Sequence, residues 1–139
     1  MAEFTIPVIG PERACRQYPF AALREAGATL AAGSDWPVTS PDPISGIHVA
    51  VNRILPHSTA EPFLPEQRIA LDTALAAYTA GSAWVNHLDD TGSIVVGNLA
   101  DLVVLDRDPL ECAPVELPEI TVVATMVGGR WVHNPPPWD

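Results

Sequence analysis

The 139-residue chain contains no lysine: its seven cationic side chains are all arginine, against seventeen Asp and Glu, for a formal net charge of −10. Without that amine the chain cannot itself form a Schiff base, supply the lysine of a phosphate-binding loop, or provide a carbamylated lysine bridging two metals. Arginine does not substitute where deprotonation is required. The arginines are also scattered singly along the sequence. Nucleic acid and anionic membrane surfaces both need clustered positive charge, so neither is an expected partner. Cysteine is scarce as well: Cys15 and Cys112 lie far apart, with no pair at metal-ligand or redox spacing. With no apolar secretory segment at the N-terminus, this reads as a reduced, cytoplasmic protein. No apolar run approaches the roughly 18–20 residues of a membrane helix. Small molecules and other proteins remain as partners.

Several catalytic signatures are missing too. His48, His57, His87 and His133 show neither H-x-H nor H-E-x-x-H spacing, so no complete metal site can be read from them. Gly33-Ser34-Asp35 lacks the second glycine of a serine nucleophile elbow. Cys112 follows Glu111 in a proline-rich stretch with no nearby base, which suits a bystander thiol. There is no glycine-rich phosphate loop, because Gly128-Gly129 is explained by the strands that flank it.

What the chain does have is a core-forming composition, 47% hydrophobic, and fifteen prolines that punctuate it. The opening Met-Ala-Glu-Phe resembles an appended leader rather than a natural beginning. Pro19, Phe20 and Leu23, closed by Gly27, predict a short helix with proline in its first turn. Ala28-Thr29-Leu30-Ala31-Ala32-Gly33 is apolar without alternation, the pattern of a parallel strand buried on both faces. Ser34-Asp35-Trp36-Pro37 ends it. Residues 38–65, rich in proline, predict a long structured loop with a helix over 44–55. Leu71, Ala74, Leu75 and Tyr78 recur at helical spacing, with Gly81 as the expected stop and a further turn over 82–88. After Asp89-Asp90 two hairpins are expected. One joins Ile94-Val95-Val96 to Leu102-Val103-Val104-Leu105 through Gly97-Asn98; the other spans 122–132 around Gly128-Gly129. This order reads as the last unit of a barrel running into a separate β layer.

Asp35 is the leading candidate for chemistry. A carboxylate at the end of a buried strand lies on the rim where α/β enzymes hold catalytic groups, and it can bind a metal or take a proton from water. The same residue could cap the following turn or form an Asx-turn before Pro37, and position alone does not decide between these. Trp36 would wall an apolar pocket or join the core, with the core slightly favoured. His48, on the helix of the long loop, would face a site or simply pack. Trp84, Trp131 and Trp138 carry structural readings only.

Three segments taken together resemble the amidohydrolase superfamily, in the branch of N-substituted formamide deformylase. The run from Tyr18-Pro19-Phe20 to Gly33-Ser34-Asp35-Trp36-Pro37-Val38 is similar to the seventh helix and eighth strand of that barrel. Ala74-Leu75 with Tyr78-Thr79 is similar to the closing helix. Gly92-Ser93-Ile94, Gly97, Ala100-Asp101-Leu102-Val103-Val104-Leu105-Asp106 and Thr125-Met126-Val127-Gly128-Gly129-Arg130 are similar to the return into the flanking β-sandwich.

The resemblance implies an α/β fold: residues 1–90 as the end of a (β/α)8 TIM barrel and 91–139 as part of the β-sandwich domain. It implies that Asp35 binds a divalent metal, zinc, and acts as general base toward an amide-like carbon, with Ser34, Trp36 and His48 lining the substrate. It also implies a small-molecule substrate with a C–N bond. The family's other ligands, an H-x-H pair and further strand-end histidines, have no counterpart here. The chain is thus expected to be the C-terminal piece of a larger enzyme, to hold zinc poorly by itself, and to need the missing N-terminal part of the barrel as partner. The competing class is a non-catalytic structural or interaction module derived from such an enzyme.

A strand of the buried type without its neighbours exposes apolar surface and free edges. The 139-residue chain is therefore expected to self-associate in sedimentation velocity, and a monodisperse monomer at all concentrations would contradict this.

Overall fold

The structure, a computed structural model, describes residues 2–135; Met1 and the C-terminal residues that include Trp138 lie outside it. Helices α1 (Ala2–Ile9), α2 (Pro11–Ala14), α3 (Phe20–Glu25), α4 (Pro43–Asn52), α5 (Leu71–Ala76) and α6 (Ser82–Val85) precede an antiparallel sheet. Its strands are β1 (Leu102–Leu105), β2 (Val122–Val127) and β3 (Arg130–His133), in the order β1-β2-β3, and short 3₁₀ turns occupy Pro65–Gln67 and Pro114–Glu119. The fold is thus mixed helix with a small antiparallel sheet. Among the described residues no helix is long and apolar enough to cross a membrane.

The expected strand at 28–33 is extended but joins no ladder among the described residues. Parallel strands need partners on both sides, and the helices supply other bonds instead. Ala28 N donates to Leu23 O at 3.0 Å and Ala32 N to Ala77 O at 3.0 Å, while the Ser82 hydroxyl donates to Ala32 O at 2.6 Å.

Gly81 is a second correction. It does not stop the helix: α5 passes through a π turn, Ala77–Gly81, directly into α6, and Gly81 itself keeps ordinary helical angles (φ −65°). A Cβ at Gly81 would overlap the carbonyl oxygen of Leu30. Glycine stands here because the helix backbone meets the extended segment's backbone, not because the helix ends.

The first expected hairpin does not form either. Residues 93–98 close on themselves, with Asn98 Nδ2 donating to Ser93 Oγ at 3.0 Å and Asn98 N to Val95 O at 3.2 Å, which leaves Val96 fully exposed. β1 pairs with β2 instead, in the register Leu102↔Met126, Val103↔Thr125 and Val104↔Ala124. Asp106 fixes this pairing: its backbone N–H donates to Thr121 O and its carboxylate accepts from Thr121 N, both at 3.0 Å. That second bond, aided by Arg107, holds the Asp106 carboxyl below the usual carboxylate range. The second expected hairpin is present as β2–β3, and the Asp101 carboxylate accepts from Gly128 N at 2.7 Å at its turn.

α4 begins where Asp42 caps it, its carboxylate accepting from Ile44 N at 3.0 Å and Ser45 N at 3.1 Å, with Pro43 in the first turn. It ends at Arg53, in the left-handed region at φ 60°. Arg53 is 6% exposed, and among the described residues no carboxylate forms an ion pair with it. Its Nε donates to Phe63 O at 3.0 Å, its Nη1 to Tyr18 O at 3.3 Å, and the guanidinium sits 5.8 Å above the Phe20 ring. Burial pulls its pKa down, with Glu66 and Tyr18 opposing, and an arginine so placed remains charged. The core lies beside it: Ile47 of α4, Ile69, Ala74 of α5, and Leu117 and Ile120 from the second 3₁₀ turn, with Leu105 of β1 packed against them.

Replacing a helix glycine by alanine ordinarily stabilises by about 1 kcal/mol. At Gly81 the sign is expected to reverse, because the methyl has no room against Leu30 O. Gly81→Ala should lose about 1–3 kcal/mol in urea unfolding; a gain in stability would contradict the close approach.

Candidate active site

The extended segment runs out at Gly33, and the next six residues form a tight, solvent-facing turn. Trp36 N donates to Ser34 Oγ at 3.3 Å, Val38 N donates to Asp35 O at 2.8 Å, and the Thr39 hydroxyl donates to Ser34 O. The Trp36–Pro37 peptide bond is cis. These bonds engage the backbone of Asp35 but not its carboxylate, which is exposed and accepts no hydrogen bond among the described residues. The capping role open to Asp35 on sequence is therefore not the one it plays.

Asp35 also sits at φ 54°, in the left-handed region. Asp tolerates that region better than most residues, yet a non-glycine residue there costs about 1 kcal/mol. Trp36 is 67% exposed, so it does not join the core.

Ser34, Asp35 and Trp36 are thus presented together at one turn. His48 is not presented with them. It is 3% exposed, enclosed between α4 and the Pro114–Glu119 turn, and its imidazole meets Asn52 rather than residues 34–36. The other histidines are dispersed: His57 lies 3.7 Å from Glu119, His133 meets Asn134, and His87 ends the helix in a left-handed conformation (φ 57°). Cys112 donates to Asp108 O at 3.2 Å. Among the described residues no three His, Cys, Asp or Glu side chains gather as a metal site. As a hard oxygen donor free of other bonds, Asp35 fits one position in a metal's ligand set; three or four are needed.

An open groove of about 540 Å³ lies between the extended segment and the helix, lined by Arg24, Thr29, Leu30, Asp72, Ala77 and Trp84. It runs along the opposite end of the segment from Asp35, which is not in its lining.

Sequence reasoning missed the residues that support the turn from behind. Gly81 and Ser82 hold the segment that leads to Asp35, and Ser82 Oγ lies within hydrogen-bond distance of both Ala32 O and Ala77 O. Gly46 makes room for the Tyr78 hydroxyl, which a Cβ there would overlap. Burial, with Asp42 adding, raises the pKa of Tyr78. The one available signal was a glycine inside an apolar helical pattern, which marks close packing as readily as an end.

Residues 1–133 match the model of the amidohydrolase family. The chain is 34% identical over 113 residues to N-substituted formamide deformylase of Arthrobacter pascens, covering 81% of this chain and 20% of that protein. It is 37% identical over 127 residues to Protein LONG AFTER FAR-RED 3 of Arabidopsis thaliana, covering 90% of this chain and 21% of that protein. The chain therefore spans about a fifth of the length of these relatives. No solved structure matches it significantly. With its described turn, helices and sheet all inside the matched residues, the chain belongs to the amidohydrolase family.

Proposed function

We propose that this chain is the C-terminal part of a metal-dependent amidohydrolase that hydrolyses a C–N bond in an amide, formamide or cyclic amide. Residues 1–90 would be the end of its (β/α)8 barrel and 91–139 part of the flanking β-sandwich. Family membership and the likeness to a formamide deformylase support the hydrolase reading. The observation that carries the assignment of Asp35 is its presentation: an exposed carboxylate that bonds to nothing in its own turn, held in a conformation glycine would adopt more easily. Strain without a structural return is the pattern of a functional residue.

In this reading Asp35 is both a ligand to the metal and the proton carrier. A divalent metal, zinc in our reading, would polarise the substrate carbonyl and lower the pKa of a water. Asp35 takes the proton of the attacking water on a carboxylate oxygen and delivers it to the departing nitrogen, so the C–N bond breaks to give an acid and an amine. Ser34 and Trp36 flank the substrate. His48, buried on α4 against the Pro114–Glu119 turn, would act on the substrate only through the helix that carries it. The remaining ligands and most of the substrate pocket come from residues outside this chain, which by itself is catalytically silent.

Two outcomes follow from separating strain from chemistry at Asp35. In the 139-residue chain, Asp35→Gly should be as stable as wild type or up to about 1 kcal/mol more stable in urea unfolding; a loss of more than that would mean the carboxylate holds the turn together. In the metal-loaded full-length enzyme, Asp35→Asn should lower kcat by about 10²–10⁴-fold with the fold retained. Wild-type turnover in that variant would remove Asp35 from the chemistry.

A further inference from the structure

His48 is buried among groups that its own charge would disturb. Asn52, one turn further along α4, places its Nδ2 2.8 Å from Pro114 O and 3.1 Å from His48 Nδ1. A backbone carbonyl can only accept, so the atom facing Pro114 must be the amide nitrogen. That same nitrogen faces His48, so Nδ1 must accept in turn and the neutral ring carries its proton on Nε2. His48 Nε2 is fully enclosed and has no hydrogen-bond partner among the described residues.

We propose that His48, Asn52 and the Pro114 carbonyl form an acid-sensitive latch between α4 and the Pro114–Glu119 turn, which opens when His48 takes up a proton. A second proton on the ring must go to Nδ1, where it points at the NH₂ group of Asn52 and sets donor against donor. Asn52 then leaves His48, or it flips and turns its oxygen against Pro114 O; the Pro114 carbonyl is a hydrogen-bond partner for the charged ring and offsets part of this, but burial outweighs it. The charged ring would meanwhile be enclosed without an anion.

The neighbouring charges do not relieve this. On the packed 3₁₀ turn, Glu116 accepts from Ala113 N at 3.1 Å and Glu119 lies 3.7 Å from His57. On α5, Asp72 accepts from Thr73 N at 2.6 Å, and at the far end of α4 Asp42 is committed to the helix cap. Tyr78, packed beside Gly46, is neutral near pH 7 as tyrosine ordinarily is, and burial raises its pKa further. Burial lowers the pKa of His48 from the ordinary histidine value; the Pro114 carbonyl opposes the shift and the charge of His57 adds to it. The sign follows: the open form protonates near the ordinary value and the closed form only below it. The latch is closed above about pH 6.5 and weakens as pH falls through the window between the two values. It requires neither Asp35 nor a bound metal.

Hydrogen exchange of the 139-residue chain tests the latch. Corrected for intrinsic rates, protection of the α4 amides should fall by up to about tenfold per pH unit below about pH 6.5, while the β1–β3 amides stay level. His48→Asn, which keeps an amide where Nδ1 lies but cannot titrate, should abolish the fall. Level protection in wild type, or the same fall in the variant, overturns the proposal. Should that variant not fold, the tautomer of wild-type His48 by ¹H–¹⁵N NMR decides: the Nε2–H form at neutral pH supports the latch, and the Nδ1–H form overturns it.

Discussion

The presentation of Asp35 depends on a contact between two stretches of backbone. At Gly81 the helix approaches Leu30 O so closely that no side chain fits between them. Gly81 ends the π turn Ala77–Gly81, whose Ala77 carbonyl accepts from Ala32 N while Ser82 Oγ reaches Ala32 O. An extended segment with no strand beside it would otherwise leave its polar backbone unpaired on that side. The helix takes the place of a neighbouring strand and fixes where the segment ends, and therefore where Asp35 begins.

Behind this arrangement stands a buried cation that makes no ion pair among the described residues. Arg53 draws together the end of α4, the approach to α3 through Tyr18 O, and the long loop through Phe63 O, all by backbone carbonyls. Carbonyl dipoles stabilise the guanidinium without a carboxylate partner, and the planar fork of arginine satisfies two of them from one side chain. In a chain with no lysine and few cations, one of seven arginines is spent inside. Together with the core of Ile47, Ala74 and Leu117, it ties residues 38–65 to the helices on one side and to the sheet on the other.

Much of this was legible in the sequence where a local rule acts alone. The α3 helix follows from Pro19 at its start and Gly27 just past its end, and the β2–β3 hairpin follows from Gly128-Gly129 between apolar runs. The turn at Ser34, Asp35 and Trp36 was legible, because Ser-Asp-Trp-Pro ending an apolar run is a local signal. His48 stayed open between packing and facing a site, since a helical position does not reveal whether the helix turns a residue to solvent or to a distant turn at Pro114. The hairpin at 94–105 failed because strand pairing is decided by partners far away in sequence: β1 found β2 through Asp106 and Thr121. The segment 28–33 meets a helix within this chain, and the strands expected beside it lie outside the chain. Gly81 was misread because glycine marks both helix ends and close approaches.

Among the described residues the chain displays one exposed, unbonded carboxylate on a braced turn, and no cluster of His, Cys, Asp or Glu gathers around it. In the function we propose, Asp35 is one member of a ligand set completed by residues outside this chain. Calorimetric titration of zinc into the 139-residue chain, with Asp35→Asn as control, addresses it most directly. Weak, non-stoichiometric heats that are nearly the same for both proteins are expected on that reading. One tightly bound zinc per chain, lost in Asp35→Asn, would contradict it.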